Sequence, residues 1–290
     1  MRSAILLSAV GLASALVLAL VGPACTNNQT FLPERASYAT DGQAPLSCVP
    51  NLDGQIDATE LMPAIGLTAT YLVSPPGVTR PVNLDGTTDA AGKIVWDWST
   101  DLADDRQAMI TATTLDGKWY AGSFPTGQFV TPFDAGDTVE AVYVHDTGAV
   151  RLLGLASTDP SPPEGKTLIV YQVPVAVFEF PIKPGAAWKS VGQYTNATVR
   201  GLPFAGTDTY DTKVDAVGTM ILHDFTFQQA MRVRTLVTLV PVAGQTTTQR
   251  QVSYLFECFG EVARATSLPN EKTEDFTTAS EIRRLGATAQ

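Results

Sequence analysis

Two histidines and three cysteines are all that 290 residues provide, and the motifs that use such residues are missing. There is no Gly-x-Ser-x-Gly elbow, no His-Glu-x-x-His, no glycine-rich phosphate loop and no Cys-x-x-Cys, so the familiar signatures of serine hydrolases, zinc proteases, nucleotide binders and dithiol oxidoreductases are absent. Positive charge is short as well: 19 Lys+Arg stand against 29 Asp+Glu, a formal charge of -10. Wrapping a nucleic acid requires clustered cations to neutralise phosphates, and this balance argues against it. Charged residues make up only 17% of the chain while 44% is hydrophobic, which excludes a disordered chain. With Gly 23 and Pro 19, turns are plentiful and a collagen-like repeat is not. Apolar spacing of the i, i+3, i+4, i+7 kind is almost absent beyond residue 60, so long amphipathic helices are not expected.

What is present begins with an address. After Met1 and Arg2, residues 4–21 are an unbroken small and apolar run, followed by Gly22, Pro23, Ala24 and Cys25. A basic start, an apolar core and small residues before a cleavage point are the parts of an export signal. With cysteine directly after the small residues, it resembles a bacterial lipoprotein signal, although Gly22 stands where that pattern usually has Leu. The resemblance implies that Cys25 carries lipid and becomes the mature N-terminus. Ordinary secretion and an uncleaved anchor are the alternatives, because the run is just long enough to span a bilayer. The lipoprotein reading places the chain in the cell envelope, outside the cytoplasm, anchored through lipid to a membrane and to the outer membrane in preference to the inner. Residues 25–47, rich in Thr, Asn, Gln and Pro, read as a flexible tether. With Cys25 committed to lipid, Cys48 and Cys258 remain as a pair, and an oxidising compartment predicts a disulfide between them.

The body reads as strands: period-two alternation and short apolar runs recur at 67–73, 93–98, 108–113, 118–124, 139–144, 149–156, 167–173, 176–180, 193–199, 209–217, 231–240 and 249–256, separated by turn residues. Asp116-Gly117 and the stretch 145–148 carry hairpin chemistry. The expectation is an all-β fold, an antiparallel sandwich or open half-barrel in two β-subdomains, 48–157 and 166–268. Between them lies a linker, 158–165, with Pro160, Pro162 and Pro163; a shared sheet remains compatible with this. Residues 1–24 are the signal and 269–290 a polar C-terminal segment. Alternation in 231–234 should put Met231 and Val233 inside and Arg232 and Arg234 in water.

The second half opens Phe180-Pro181-Ile182-Lys183-Pro184-Gly185, with Trp188 close behind, and ends on an aromatic strand closing with Gly260-Glu261-Val262-Ala263-Arg264. That order resembles the β-rich domains of predicted lipoproteins of myxobacteria-like bacteria and is similar to curved periplasmic sheets of the open half-barrel type. The resemblance spans about 90 residues and implies fold rather than activity.

Three groups of side chains carry candidate chemistry. Residues 51–60 are similar to an EF-hand calcium loop from its third position onward: Asn51, Asp53, Gln55, Asp57 and Glu60 supply ligands, with Gly54 at the sharp turn. Val49 replaces the first carboxylate and Pro63 stops an exiting helix. Calcium is the one cofactor this implies. Trp96 and Trp98 share a strand face and could line a ligand groove or fill a core. His145 and His223 each precede an Asp, but neighbours on a strand point to opposite faces, and no catalytic residue is assigned. The sequence therefore suggests a non-catalytic, membrane-tethered envelope lipoprotein with a binding or assembly role and an unidentified protein or small-molecule partner. A weak calcium-dependent binding module and an extracytoplasmic hydrolase are the alternatives.

Overall fold

A computed structural model describes residues 48–134 and 136–287. The signal, the tether and Cys25 lie outside the described residues. Fifteen strands follow one another: β1 (Thr68–Val73), β2 (Arg80–Pro81), β3 (Thr87–Thr88), β4 (Ile94–Trp98), β5 (Arg106–Thr111), β6 (Phe129–Pro132), β7 (Val139–His145), β8 (Ala149–Ser157), β9 (Leu168–Glu179), β10 (Ala187–Val199), β11 (Leu202–Leu222), β12 (Thr226–Pro241), β13 (Thr247–Phe256), β14 (Gly260–Ser267) and β15 (Thr278–Gly286). The fold is all-β, as the alternation predicts; the helical turns among the described residues are two short 3-10 segments, Ala58–Leu61 and Ala121–Ser123.

All strands belong to one 15-stranded sheet whose path runs β5-β1-β15-β14-β13-β12-β11-β10-β9-β8-β7-β6. From β6 to β15 it is a meander of antiparallel neighbours, so each strand pairs with the next in sequence. Twist and coiling curl the sheet into a half-barrel that nearly closes. Just past β5, Thr113 exchanges two backbone hydrogen bonds with Val130 of β6, at 2.9 and 2.8 Å. Off the path, β2 pairs with β15, β3 with β4, and β4 lies parallel to the end of β11.

The two stretches read as β-subdomains, 48–157 and 166–268, share this continuous sheet. The Pro-rich segment 158–165 is the loop joining β8 and β9, which pair directly, and Leu46–Gln290 forms one compact unit. Prolines deny ladder donors to their own segment without preventing the flanking strands from meeting. Two expectations change. Residues 118–124 form no strand; they are the loop whose Tyr120 and Phe124 pack on the outer face of β6 to β8. The supposed polar tail contains β15, which sits between β14 and β1.

The sheet has apolar packing on both faces. Inside, Ala149, Trp188, Val214, Met231, Val233 and Leu255 fill one end of the barrel. Outside, β2 to β4 and the segment before β15 cover β11 to β15 with a second core around Trp96, Tyr254, Phe276 and Ile282. This outer layer alters one expectation: Met231 and Val233 are indeed inside, but Arg232 and Arg234 are buried, only 8% and 6% exposed. They are tolerated there because Asp215 accepts hydrogen bonds from both, at 2.8 and 2.5 Å, and Arg232 also donates to the Leu84 carbonyl at 2.6 Å; buried cations need such partners.

Candidate functional site

The barrel does not fill its own interior. A cavity of about 720 Å³ opens within it, and every strand of the path from β5 to β6 contributes lining residues. That volume lies in the range of about 300–1,000 Å³ common to small-molecule sites. The lining is mainly apolar and aromatic: Leu152, Leu155, Ile169, Val177, Phe204 and Val237 are examples. These are the inward positions of long strands, selected by the period-two alternation.

Polar groups enter at a few places. Asp208 of β11 is 4% exposed and accepts hydrogen bonds from the hydroxyls of Tyr171, at 2.6 Å, and Tyr194, at 3.0 Å. Burial pushes its carboxyl above the usual range, and the two tyrosines pull it partly back. On the wall formed by β14 and β15, Glu261, Arg264 and Arg283 face the same space. Ser253 donates to Glu261 at 2.6 Å, and the Tyr71 hydroxyl donates to the Glu261 carbonyl at 2.6 Å.

One end of the cavity is crossed by the segment from Cys48 to Gly66. Its ties are few and specific. The Cys48–Cys258 disulfide, with Cα atoms 5.5 Å apart, fastens it to the turn between β13 and β14. Ile56 and Ile182 exchange two backbone bonds, Cys258 N donates to the Glu60 carbonyl, and Gly66 N to that of Ala112. Leu61, Met62 and Pro63 of this strap line the cavity.

The calcium-loop residues lie on this strap. Asn51 accepts from Asp53 N at 2.8 Å, Asp53 from Gln55 N at 3.1 Å, and Glu60 from Asp57 N at 2.9 Å. Gln55 donates to the Asp57 carboxylate at 3.4 Å. The loop's oxygens thus support its own turns and a capping box on Ala58–Leu61. Glu257 takes the backbone donors of Asn51 and Leu52, both at 2.7 Å. Among the described residues no group of three His, Cys, Asp or Glu side chains is placed to hold a metal ion.

Trp96 and Trp98 lie away from the cavity, in the outer core. They are 0% and 8% exposed and pack against Tyr254 at 4.8 and 5.0 Å. Their indole N–H groups donate to the carbonyls of Leu84 and Asn83. Those carbonyls belong to the turn at Asn83-Leu84-Asp85-Gly86, where Gly86 has φ +73° and a Cβ would meet the Val95 carbonyl at 2.5 Å. Asp146 is engaged by Gly148 N, Ala149 N and Arg151, and Asp224 by Ala287 N. His145 packs on Phe180 with ring centroids 5.4 Å apart, and His223 lies 3.8 Å from Asp224 at the surface.

Sequence alone does not single out the cavity or its charged wall. Tyr171, Tyr194 and Tyr210 lie on strands that the alternation does reveal, and Phe204 just before one of them, but curvature, which turns one face into an interior, leaves no local signature. Family models, curated proteins and solved structures were all compared with this chain, and none matches.

Proposed function

We propose that this protein is a non-catalytic binding protein of the cell envelope, tethered to the membrane by lipid on Cys25, whose half-barrel takes up an apolar small molecule. The observation that carries the reading is the cavity of about 720 Å³, lined by every strand of the curled sheet and mainly by apolar side chains. Interiors of folded domains are normally close-packed, so an apolar void of this size inside a long-stranded barrel is a feature to be filled. A ligand there would bury most of its surface, and burial of apolar area supplies the affinity. The tether follows from the lipoprotein-like signal and the disulfide is in keeping with an oxidising compartment. In this reading the stretch 51–60 serves as a strap across the cavity, because its oxygens are taken up by its own backbone.

Titration of the purified protein with the neutral dye phenylnaphthylamine tests it. Saturable binding of one dye per chain is expected, with fluorescence enhancement. Ala69→Trp, which puts an indole into the cavity from β1, should abolish that binding while leaving the far-ultraviolet circular dichroism unchanged. Absence of saturable binding, or binding indifferent to the filled cavity, contradicts the reading.

A further inference from the structure

The cavity wall is apolar on most strands, but on β14 and β15 it carries two guanidinium groups side by side. Arg264 and Arg283 are direct partners across the two strands, and both line the cavity. Like charges placed opposite each other on one face repel. Burial, and after it the proximity of Arg264, holds Arg283 below the usual guanidinium range.

Their protein partners leave most of their donors free. Arg264 lies 3.6 Å from Glu261 and 3.7 Å from Glu281, too far for hydrogen bonds. Among the described residues Arg283 donates once, from Nη2 to Glu281 at 3.0 Å, and is only 4% exposed. The Nε atoms of both are buried with no partner among those residues. Each guanidinium carries five N–H donors, so one protein hydrogen bond between the two of them is a large deficit. Arginines on the outer face differ in the number of bonds they make: Arg232, Arg234 and Arg284 each make three to carboxylates or carbonyls, although the Arg284 Nε is also buried without a partner among the described residues.

We propose that Arg264 and Arg283 form an anion receptor inside the barrel, and that the ligand is an amphiphile with an apolar body and a single carboxylate head. The inference rests on the reading of the cavity as a site for an apolar ligand, and it adds the head group. A planar carboxylate matches the guanidinium fork and satisfies two donors at once. Glu261 and Glu281 temper the positive charge of this wall without engaging most of its donors, which favours a singly charged head over a dianion. Of the buried carboxyls on the cavity, Asp208 has its oxygens occupied by tyrosine hydroxyls and Glu60 accepts from Asp57 N, and neither offers an anion a donor of its own. The head therefore goes to β14 and β15, and the apolar body extends over the remaining strands.

Three dansyl probes and phenylnaphthylamine, titrated into the purified full chain, test this. The probes are dansylaminoundecanoic acid, its methyl ester, and the same chain ending in a phosphate. The acid is expected to bind at least about tenfold more tightly than the ester, the gain expected of charge-assisted hydrogen bonds, and more tightly than the phosphate. Arg283→Met, which keeps an apolar stem of similar length, should remove the acid's advantage over the ester, with phenylnaphthylamine still bound. Arg264→Met, at the less buried member of the pair, should act in the same direction and serves where the first variant fails to fold. Equal affinity of acid and ester, or variants that bind the acid as before while phenylnaphthylamine still binds, overturns the anion receptor and leaves the apolar cavity reading in place. A phosphate that binds more tightly than the acid overturns the carboxylate assignment. Failure of phenylnaphthylamine and all three dansyl probes to bind overturns the cavity reading itself, and the receptor with it.

Discussion

Two aspartates on one strand show how position sets chemistry. On β11, Asp208 points into the cavity and Asp215 to the outer layer. Burial raises the Asp208 carboxyl, and the hydroxyls of Tyr171 and Tyr194 only partly counter it. At Asp215 burial also opposes ionisation, but Arg232 and Arg234 outweigh it and the carboxyl lies below its usual range. The consequences for stability have opposite signs. A raised carboxyl means that the native state holds the proton more tightly than the unfolded chain does. The contribution of Asp208 is therefore fully present below its unfolded value, near 3.8, and is lost as pH rises through the higher native value. Asp215 contributes above its unfolded value and loses that contribution as pH falls. Asp208→Asn should flatten the decline of unfolding free energy on the alkaline side of pH 4, measured by urea denaturation at a series of pH values; an unchanged pH profile would contradict the assignment. Neither role is legible in the sequence, whose alternation starts the strand at 209 and leaves Asp208 outside it. The strand through both aspartates is 21 residues long, and its threonines and aspartates imitate a turn.

At the scale of elements, the strap from Cys48 to Gly66 shows what can and cannot be read in advance. The disulfide was legible because cysteine counting left one pair, and it is present across a sequence separation of 210. What it fastens was not legible, since nothing local says that residues 56–66 cross the end of a barrel. Few backbone bonds hold the strap besides this bond, so the double variant Cys48→Ser/Cys258→Ser should lower unfolding free energy by about 3–5 kcal/mol through restored loop entropy. It should also speed amide exchange at Ile56 and Gly66 more than in the barrel strands. Denaturant midpoints and exchange rates equal to those of the parent would contradict both. Strand reading failed where a side chain broke the expected code. β15 was missed because Arg283 and Arg284 lie one after the other, the first buried at the cavity and the second under the outer layer, where it donates to the carbonyls of Trp98 and Thr100 and to Asp105. The apparent gap within β9 falls at Pro174, near bulges in the pairing with β8, and a proline at a bulge does not end a strand.

Over the whole molecule, alternation identified two faces on most strands without telling what each would meet. The face of β12 with Met231 and Val233 reads as interior, and the one with Arg232 and Arg234 as facing solvent. Closure of the sheet leaves the first face partly unpacked around a cavity, and the segments 80–100 and 274–276 cover part of the second. Both outcomes depend on the curvature of a 15-stranded sheet, a property of the ensemble of strands rather than of any window of residues. Cysteine counting did foretell the disulfide between Cys48 and Cys258. The central claim is that an apolar ligand occupies the interior, and locating a bound probe tests it most directly. With phenylnaphthylamine bound to methyl-labelled protein, nuclear Overhauser effects are predicted from the dye to Leu152, Ile169 and Val237 on the cavity wall. Contacts confined to surface methyls, or to Val252 and Val262 of the outer core, would contradict the account.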